Sequence, residues 1–330
     1  MSRARDFADL AGSADAGGLT GKNKFINGSF LVAQRGTSST SAGYVSLDRW
    51  YVSQSGGSTT FSQETNSNPS ETGGLQKYAR LNVSTSSDFT GIRQAIEDVA
   101  SVPAETYTLS FWAKGTAPTG GLRCWATQDF GSGGSSDVDI SNVIITSSLT
   151  SSWVRYTAQI TIPSIDGKTI GAGSFLLINI GQFSNTATTA YDLNITGVQL
   201  EVGETATPFE HRSYADELNR CRRYFTIVCG NDDNTFTNTH AWTSDEVIGH
   251  LDLGNIEFRA NPTISKSANN HFQIRSGGIS ETTDNVTFVQ SNKLGHCRAE
   301  FSGTGGLTAG RGAWVKLNTS SGYIHADAEL

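Results

Sequence analysis

Apolar and polar residues alternate one for one through much of this chain. Tyr107, Leu109, Phe111 and Ala113 alternate with Thr108, Ser110, Trp112 and Lys114, and Val154, Tyr156, Ala158, Ile160 and Ile162 repeat the pattern. A period of two sends successive side chains to opposite faces of an extended backbone, so each segment predicts a half-buried strand. Phe30 with Val32, Trp50 with Val52, Tyr78 to Val83 and the more fully apolar Phe175 to Ile180 are further candidates, separated by Gly, Ser, Asn and Thr clusters. In Tyr191–Glu201 the apolar phase passes from odd to even numbers at Gly197. A one-residue change of phase at a glycine predicts a β-bulge. Many short strands with no helix between them predict a β-sandwich.

One stretch breaks the period. After Val198, Leu200 and Val202, Pro208 fixes its own φ and keeps Thr207 extended. Ser213 with Asp216 three residues on forms a helix-capping pair. Tyr214, Leu218, Cys221 and Phe225, at spacings of four, three and four, make one apolar stripe on a short helix. Such a helix packs on its own domain or forms a seam between copies, and its length alone does not decide. The second use makes these four residues an oligomer interface.

Beyond the helix, Phe225 to Cys229, Val247 to Leu253, Phe258 to Ser265, His271 to Arg275, Val286 to Gln290, Ala313 to Leu317 and Tyr323 to the end are strand candidates. Glycine turns such as Ser276-Gly277-Gly278 divide them. The expected organisation is a segment 1–22, a sandwich 23–210, a linker helix 211–225 and a C-terminal β domain 226–330.

Composition agrees. Charged residues make up only 17% of the 330, and 36 glycines suit abundant turns. A net charge of −7 argues against nucleic acid as the partner, because phosphate binding needs a basic stripe. No apolar run reaches the length of a membrane span, and residues 1–20 lack a signal-peptide core, so assembly in a cytoplasm is expected. Cys124, Cys221, Cys229 and Cys297 have no regular spacing and read as reduced thiols.

The stretch Gly197-Val-Gln-Leu-Glu-Val-Gly, continued by Ala206-Thr-Pro-Phe-Glu-His-Arg212 and the helix Glu217-Leu-Asn-Arg-Cys-Arg-Arg-Tyr-Phe225, resembles a junction of tailed-bacteriophage tail fibre and appendage proteins. Ser2-Arg-Ala-Arg-Asp6 resembles their start, which implies a virion anchor carried by Arg3, Arg5, Phe7 and Leu10. Phe258-Arg-Ala-Asn-Pro-Thr-Ile264 and the terminus from Tyr323 resemble their C-terminal domain, which implies a homotrimer. Asn27-Gly-Ser-Phe30, Leu47-Asp-Arg-Trp50, Tyr107 to Lys114 and Ser152-Trp-Val-Arg-Tyr156 resemble the jelly roll of carbohydrate-binding modules. The resemblance departs at the structural calcium that such modules often hold, since Ser29 and Thr196-Gly197 stand where carboxylates are common. It implies an all-β appendage in a phage virion that contacts other tail proteins through its N-terminus and a host-surface polysaccharide elsewhere. The alternatives are a capsid decoration or tail structural protein that binds only other virion proteins and, more distantly, an enzyme-borne or free carbohydrate-binding module.

Catalytic patterns are missing. Gly167-Lys168-Thr169 lacks the first glycine of a P-loop, whose place is Ile162. The six histidines are scattered, and His296 beside Cys297 points to the opposite face of a strand. Asp129, Asp137 and Asp139 in one loop are potential cation ligands, more simply read as solvated. The expectation is no enzyme, no cofactor and no metal. Sugar binding needs aromatic faces to stack on sugar rings, for which Trp50, Trp112, Trp125, Trp153, Trp242 and Trp314 are the candidates, with Trp50, Trp112 and Trp125 put first.

Overall fold

The computed structural model describes residues 21–85, 89–183, 190–230, 235–254, 256–289 and 291–330. The expected anchor residues Arg3, Arg5, Phe7 and Leu10 lie outside the described residues. The chain divides into two compact units between Leu218 and Asn219.

The strands of the first unit are β1 (Ser38–Ser39), β2 (Tyr51–Ser55), β3 (Ser58–Thr65), β4 (Lys77–Thr85), β5 (Phe89–Glu97), β6 (Thr106–Thr116), β7 (Leu122–Asp129), β8 (Val138–Thr146), β9 (Val154–Thr161), β10 (Phe175–Phe183) and β11 (Tyr191–Val202). A six-stranded sheet has the order β1-β3-β4-β11-β6-β9 and a five-stranded sheet the order β2-β5-β10-β7-β8. All pairs are antiparallel. The inner alternation of both sheets meets in one core, with Phe61, Leu81, Leu109 and Phe111 from the first sheet and Val52, Ile92, Ala126 and Ile178 from the second. Each large apolar side chain so buried stabilises the unit by roughly 1.5–3 kcal/mol. The unit is an all-β sandwich of the jelly-roll kind.

The bulge lies where the phase change places it. The pairing of β11 with β6 slips between Thr196 and Gln199, and Gly197 has φ +64°. A Cβ there would stand 2.6 Å from a ring carbon of Trp112 and 2.7 Å from Leu75 Cδ1. Glycine therefore meets a conformational need and a steric one at this position.

The motif around Phe30 was expected to open a strand, but residues 21–37 are irregular. Asn27, Phe30 and Arg49 adopt left-handed backbone, with φ between 56° and 71°. Such strain persists only where neighbours over-determine it, and they do. The Asn27 amide donates to Val32 O and Asp48 O and accepts from Val32 N, while Trp50 Nε1 donates to Asn27 O. Trp50 is 0% exposed. That corrects its place among the sugar-stacking candidates: its ring lies in the core, where Phe25 and Phe30 tilt against it at 5.4 and 5.1 Å.

The junction motif is a buried polar clasp. Glu201 accepts from Gln199 Nε2 and from the amide and hydroxyl of Thr207, and Gln199 Oε1 accepts from Glu210 N. Glu210 in turn accepts from Gly21 N and Asn23 N. Arg212 donates to Phe25 O and Asn23 O and pairs with Glu217 at 2.9 Å, both side chains being 5% exposed. Glu217 also accepts from Asn27 N. Burial alone would raise the Glu210 carboxyl, but the Asn23 and Gly21 amides and the Arg212 guanidinium outweigh it and hold the group below its ordinary value.

The helix α1 (Tyr214–Arg222) starts as expected, with Ser213 Oγ accepting from Asp216 N at 3.1 Å. Its stripe is not the open seam that an oligomer interface requires. Cys221 is 0% and Phe225 3% exposed within their own chain, and the Phe225 ring meets His325 edge-on at 5.2 Å. Those two positions are filled from inside; Leu218 is half-buried and Tyr214 is 56% exposed.

The second unit contains β12 (Phe225–Gly230), β13 (Thr235–Ala241), β14 (Glu246–Asp252), β15 (Thr263–Lys266), β16 (Phe272–Ser276), β17 (Ile279–Thr282), β18 (Asn285–Val289), β19 (His296–Ser302), β20 (Gly312–Leu317) and β21 (Tyr323–Asp327). Seven strands run in the order β17-β16-β20-β13-β14-β19-β18, and three in the order β12-β21-β15. Of the expected strand Phe258–Ser265 only the last residues pair, in β15. A core including Val247, Phe272, Phe301, Val315 and Ile324 joins the sheets. His296 is exposed and Cys297 1% exposed, on opposite faces of β19. Among the described residues no helix is long and apolar enough to cross a membrane.

Candidate functional site

The five-stranded sheet of the first unit turns its even-numbered positions on β5, β7 and β10 to the core, as Ile92, Ala126 and Ile178 show. The odd-numbered positions therefore form its outer face. Register aligns four of them across the sheet: Tyr51 pairs with Arg93, Arg93 with Asn179 and Asn179 with Trp125. The row runs perpendicular to the strands, with an aromatic residue at each end and polar groups between.

Next to this row the face has no side chains on its two middle strands, where glycines stand between Ser53 and Arg123. Ser53 pairs with Gly91 and Gly91 with Gly181. A Cβ on Gly181 would come within 2.5 Å of the Gly91 Cα, so the strands at this point require glycine. Phe89 and Trp125 belong to β5 and β7, on either side of β10, yet their ring centroids are 5.8 Å apart. They meet across the central strand where the glycines leave room. On the other side of the row a cavity of about 270 Å³ is lined by Tyr44, Arg93, Thr127, Asp129, Phe175 and Leu177 among others.

The polar groups are held without being consumed. The Arg93 guanidinium lies 4.1 Å from the Tyr51 ring centroid, and Tyr44 meets Tyr51 edge-on at 5.1 Å. Stacking on the ring fixes the plane of the guanidinium and leaves its N–H edges for hydrogen bonding. Among the described residues no carboxylate forms an ion pair with Arg93. Asn179 is 1% exposed, and no protein group pairs with either its amide nitrogen or its amide oxygen. Ser53 Oγ and Arg123 Nε are buried and unpaired as well. Buried polar atoms without partners are costly, and these four lie together on the outer face of one sheet.

Of the sugar-stacking candidates, Trp125 lies on this face and is half-buried. Trp112 lies on the other sheet, half-buried, with the Arg155 guanidinium 4.9 Å from its ring and the Gly197 bulge against it. Tyr51, Phe89, Arg93 and Asn179 were not recognised in the sequence. β10 is expected as the apolar segment Phe175 to Ile180, but β5 is not among the expected strands, so nothing local marked Arg93 or Asn179.

The acidic loop is internally bonded: Asp129 Oδ1 accepts from Gly131 N and Asp139 Oδ1 from Thr127 Oγ1. Among the described residues no cluster of three histidines, cysteines or carboxylates is placed to hold a metal ion.

No protein-family model matches the chain, and no curated protein sequence matches it. Solved structures do resemble part of it. A proposed sugar-binding protein from Bacteroides thetaiotaomicron aligns at 14% identity over 55% of this chain and 100% of its own, with a TM-score of 0.36. The N-terminal cellulose-binding domain of Cellulomonas fimi β-1,4-glucanase C aligns at 16% identity over 53% of this chain and 100% of its own, with a TM-score of 0.30. The enzymatically active domain of tailspike protein 4 from bacteriophage CBA120 aligns at 15% identity over 55% of this chain and 22% of its own, with a TM-score of 0.32. Likenesses this distant do not say what the outer face holds.

Proposed function

We propose that the first unit binds a polysaccharide across the outer face of its five-stranded sheet, and that the chain is a non-enzymatic appendage of a tailed-phage virion that contacts a host surface glycan. One observation carries the binding half: the row Tyr51–Arg93–Asn179–Trp125, with aromatic rings at its ends and unspent hydrogen-bonding groups between them. A sugar ring has apolar C–H faces and a polar edge, so it needs both kinds of group side by side. The appendage half is supported by the junction at Gly197–Phe225 and by Ser2-Arg-Ala-Arg-Asp6, which resemble phage fibre sequences. It carries with it a trimer and an anchor within residues 1–22.

The binding half is tested with purified full-length protein on an array of bacterial surface polysaccharides. Binding is expected, with a loss of roughly tenfold in Trp125→Ala, the scale of one stacking contact. Binding that Trp125→Ala leaves unchanged would move the site elsewhere. For the appendage half, particles produced without residues 1–22 of this chain should lack the protein, and its solution mass should be that of three copies. A monomer, or continued incorporation, would refute it.

A further inference from the structure

The second unit presents another surface of the same chemical character, on a different sheet. On β20, Ala313, Val315 and Leu317 are buried and Trp314 points outward, 42% exposed. Its cross-strand neighbours on the outer face are Arg275 of β16 and Asn238 of β13. Beyond them Gly312 pairs with His240, whose ring stands 6.4 Å from that of Trp242. Trp242 is 61% exposed. No atom lies within 4 Å of the point where a Cβ on Gly312 would sit, so the face between the two indoles is open.

Two features say what would lie there. First, the positions around Trp314 are polar: Arg275, Asn238, Lys316 and Gln273 surround it. A protein partner would bury a contiguous apolar centre, and among the described residues the positions flanking Trp314 form none. A single ring bordered by planar hydrogen-bonding groups suits a sugar, which offers an apolar face and polar edges together. Second, the charged residues at the register positions beside Trp314, Arg275 and Lys316, are both cationic in a chain whose net charge is −7. The Arg275 Nε donates to Gln273 Oε1 at 3.0 Å, and among the described residues no carboxylate pairs with this guanidinium. By contrast Arg298, further along the same face, is paired to Glu300 at 2.6 Å. Arg275 is thus a fork of donors positioned beside the ring, suited to a carboxylate or another acidic substituent.

We infer that the outer face of the seven-stranded sheet is a second glycan platform, with Trp314 as its stacking surface and Arg275 as its anion-recognising group, and that it takes an acidic polysaccharide. It does not depend on the groove of the first unit.

Affinity electrophoresis of the full chain separates the cases, with alginate, hyaluronan and polygalacturonate as acidic probes, dextran and xylan as neutral ones, and double-stranded DNA as a polyanion without exposed sugar faces. Retardation by at least one acidic polysaccharide is expected. Trp314→Ala should weaken it roughly tenfold, and Arg275→Gln should abolish the preference for acidic over neutral polymer. In a Trp125→Ala background Trp314→Ala should still weaken the retardation, which separates this platform from the site on the first unit. Four results overturn the inference: no retardation by any acidic polysaccharide, retardation insensitive to Trp314→Ala, equal and Trp314-dependent retardation by DNA, or a change of solution mass in Trp314→Ala, which would make a second copy the occupant. None of the four touches the groove, whose own variant is Trp125→Ala.

Discussion

Asn179 is the sharpest test of the groove, because replacing it should make the protein more stable and less able to bind. Its amide nitrogen and oxygen are both buried and unpaired, on a residue 1% exposed. Leaving a buried hydrogen-bonding group unsatisfied costs about 1–3 kcal/mol. Leucine fills nearly the same volume, carries no polar atom and suits a strand flanked by Leu177 on the same face. With two orphaned groups removed and some relaxation allowed, Asn179→Leu should stabilise the first unit by about 2 kcal/mol. For a unit of this size each kcal/mol moves the melting temperature by about 2–4 °C, so a rise of about 4–8 °C is expected by calorimetry of the full chain. Binding to the polysaccharide found on the array should fall by at least about tenfold, since the amide's hydrogen bonds to the ligand are lost. Stability gained at the expense of binding is the signature of a group retained for function. A lower melting temperature in Asn179→Leu would show that the amide is satisfied in the folded protein and would remove the reason for placing a ligand there. A raised melting temperature with unaltered affinity would detach Asn179 from the binding row.

Two further outcomes test the frame that holds the groove. Gly197→Ala places a Cβ at φ +64°, 2.6 Å from the Trp112 ring; left-handed strain of about 1–2 kcal/mol plus the clash should lower stability by at least about 2 kcal/mol, read as a shift of the urea midpoint at constant slope, and a shift near zero would show that the bulge relaxes freely. The lowered Glu210 carboxyl makes the clasp pH-dependent: because its folded value lies below its ordinary 4.5, its contribution is fully present above that pH and is lost as pH falls through the folded value. Glu210→Gln should therefore be less stable than the parent at pH 7, with a flatter decline between neutral and acid pH, and parallel curves for the two proteins would assign the acid sensitivity to another group.

The likeness to carbohydrate-binding modules and the chemistry of the site have different carriers in this chain. Asn27 to Phe30 and Leu47 to Trp50, through which the chain resembles such modules, are buried structural elements. Asp48, Arg49 and Trp50 are at most 1% exposed, and the Arg49 guanidinium donates to Ala95 O. These motifs were readable because a strained, tightly bonded corner admits few residue types. The binding row has no such signature: Tyr51, Arg93, Trp125 and Asn179 are distant in sequence, and each is an ordinary residue on its own strand. Trp50 shows the converse, since a tryptophan at a strand entry reads alike whether its ring turns inward or outward.

By itself the sequence determined what depends on neighbours a few residues away. The alternation made strands, the phase change at Gly197 made a bulge, and Ser213 with Asp216 started the single described α-helix. Strand order and register were decided only in the tertiary structure, because pairing β10 between β5 and β7 brings together residues 46 or more positions apart. That pairing places Asn179 between Arg93 and Trp125, sets Gly181 against Gly91, and closes Cys221 and Phe225 into their own chain. Burial and partnership are properties of such juxtapositions, so the groove became visible only once the sheets were formed.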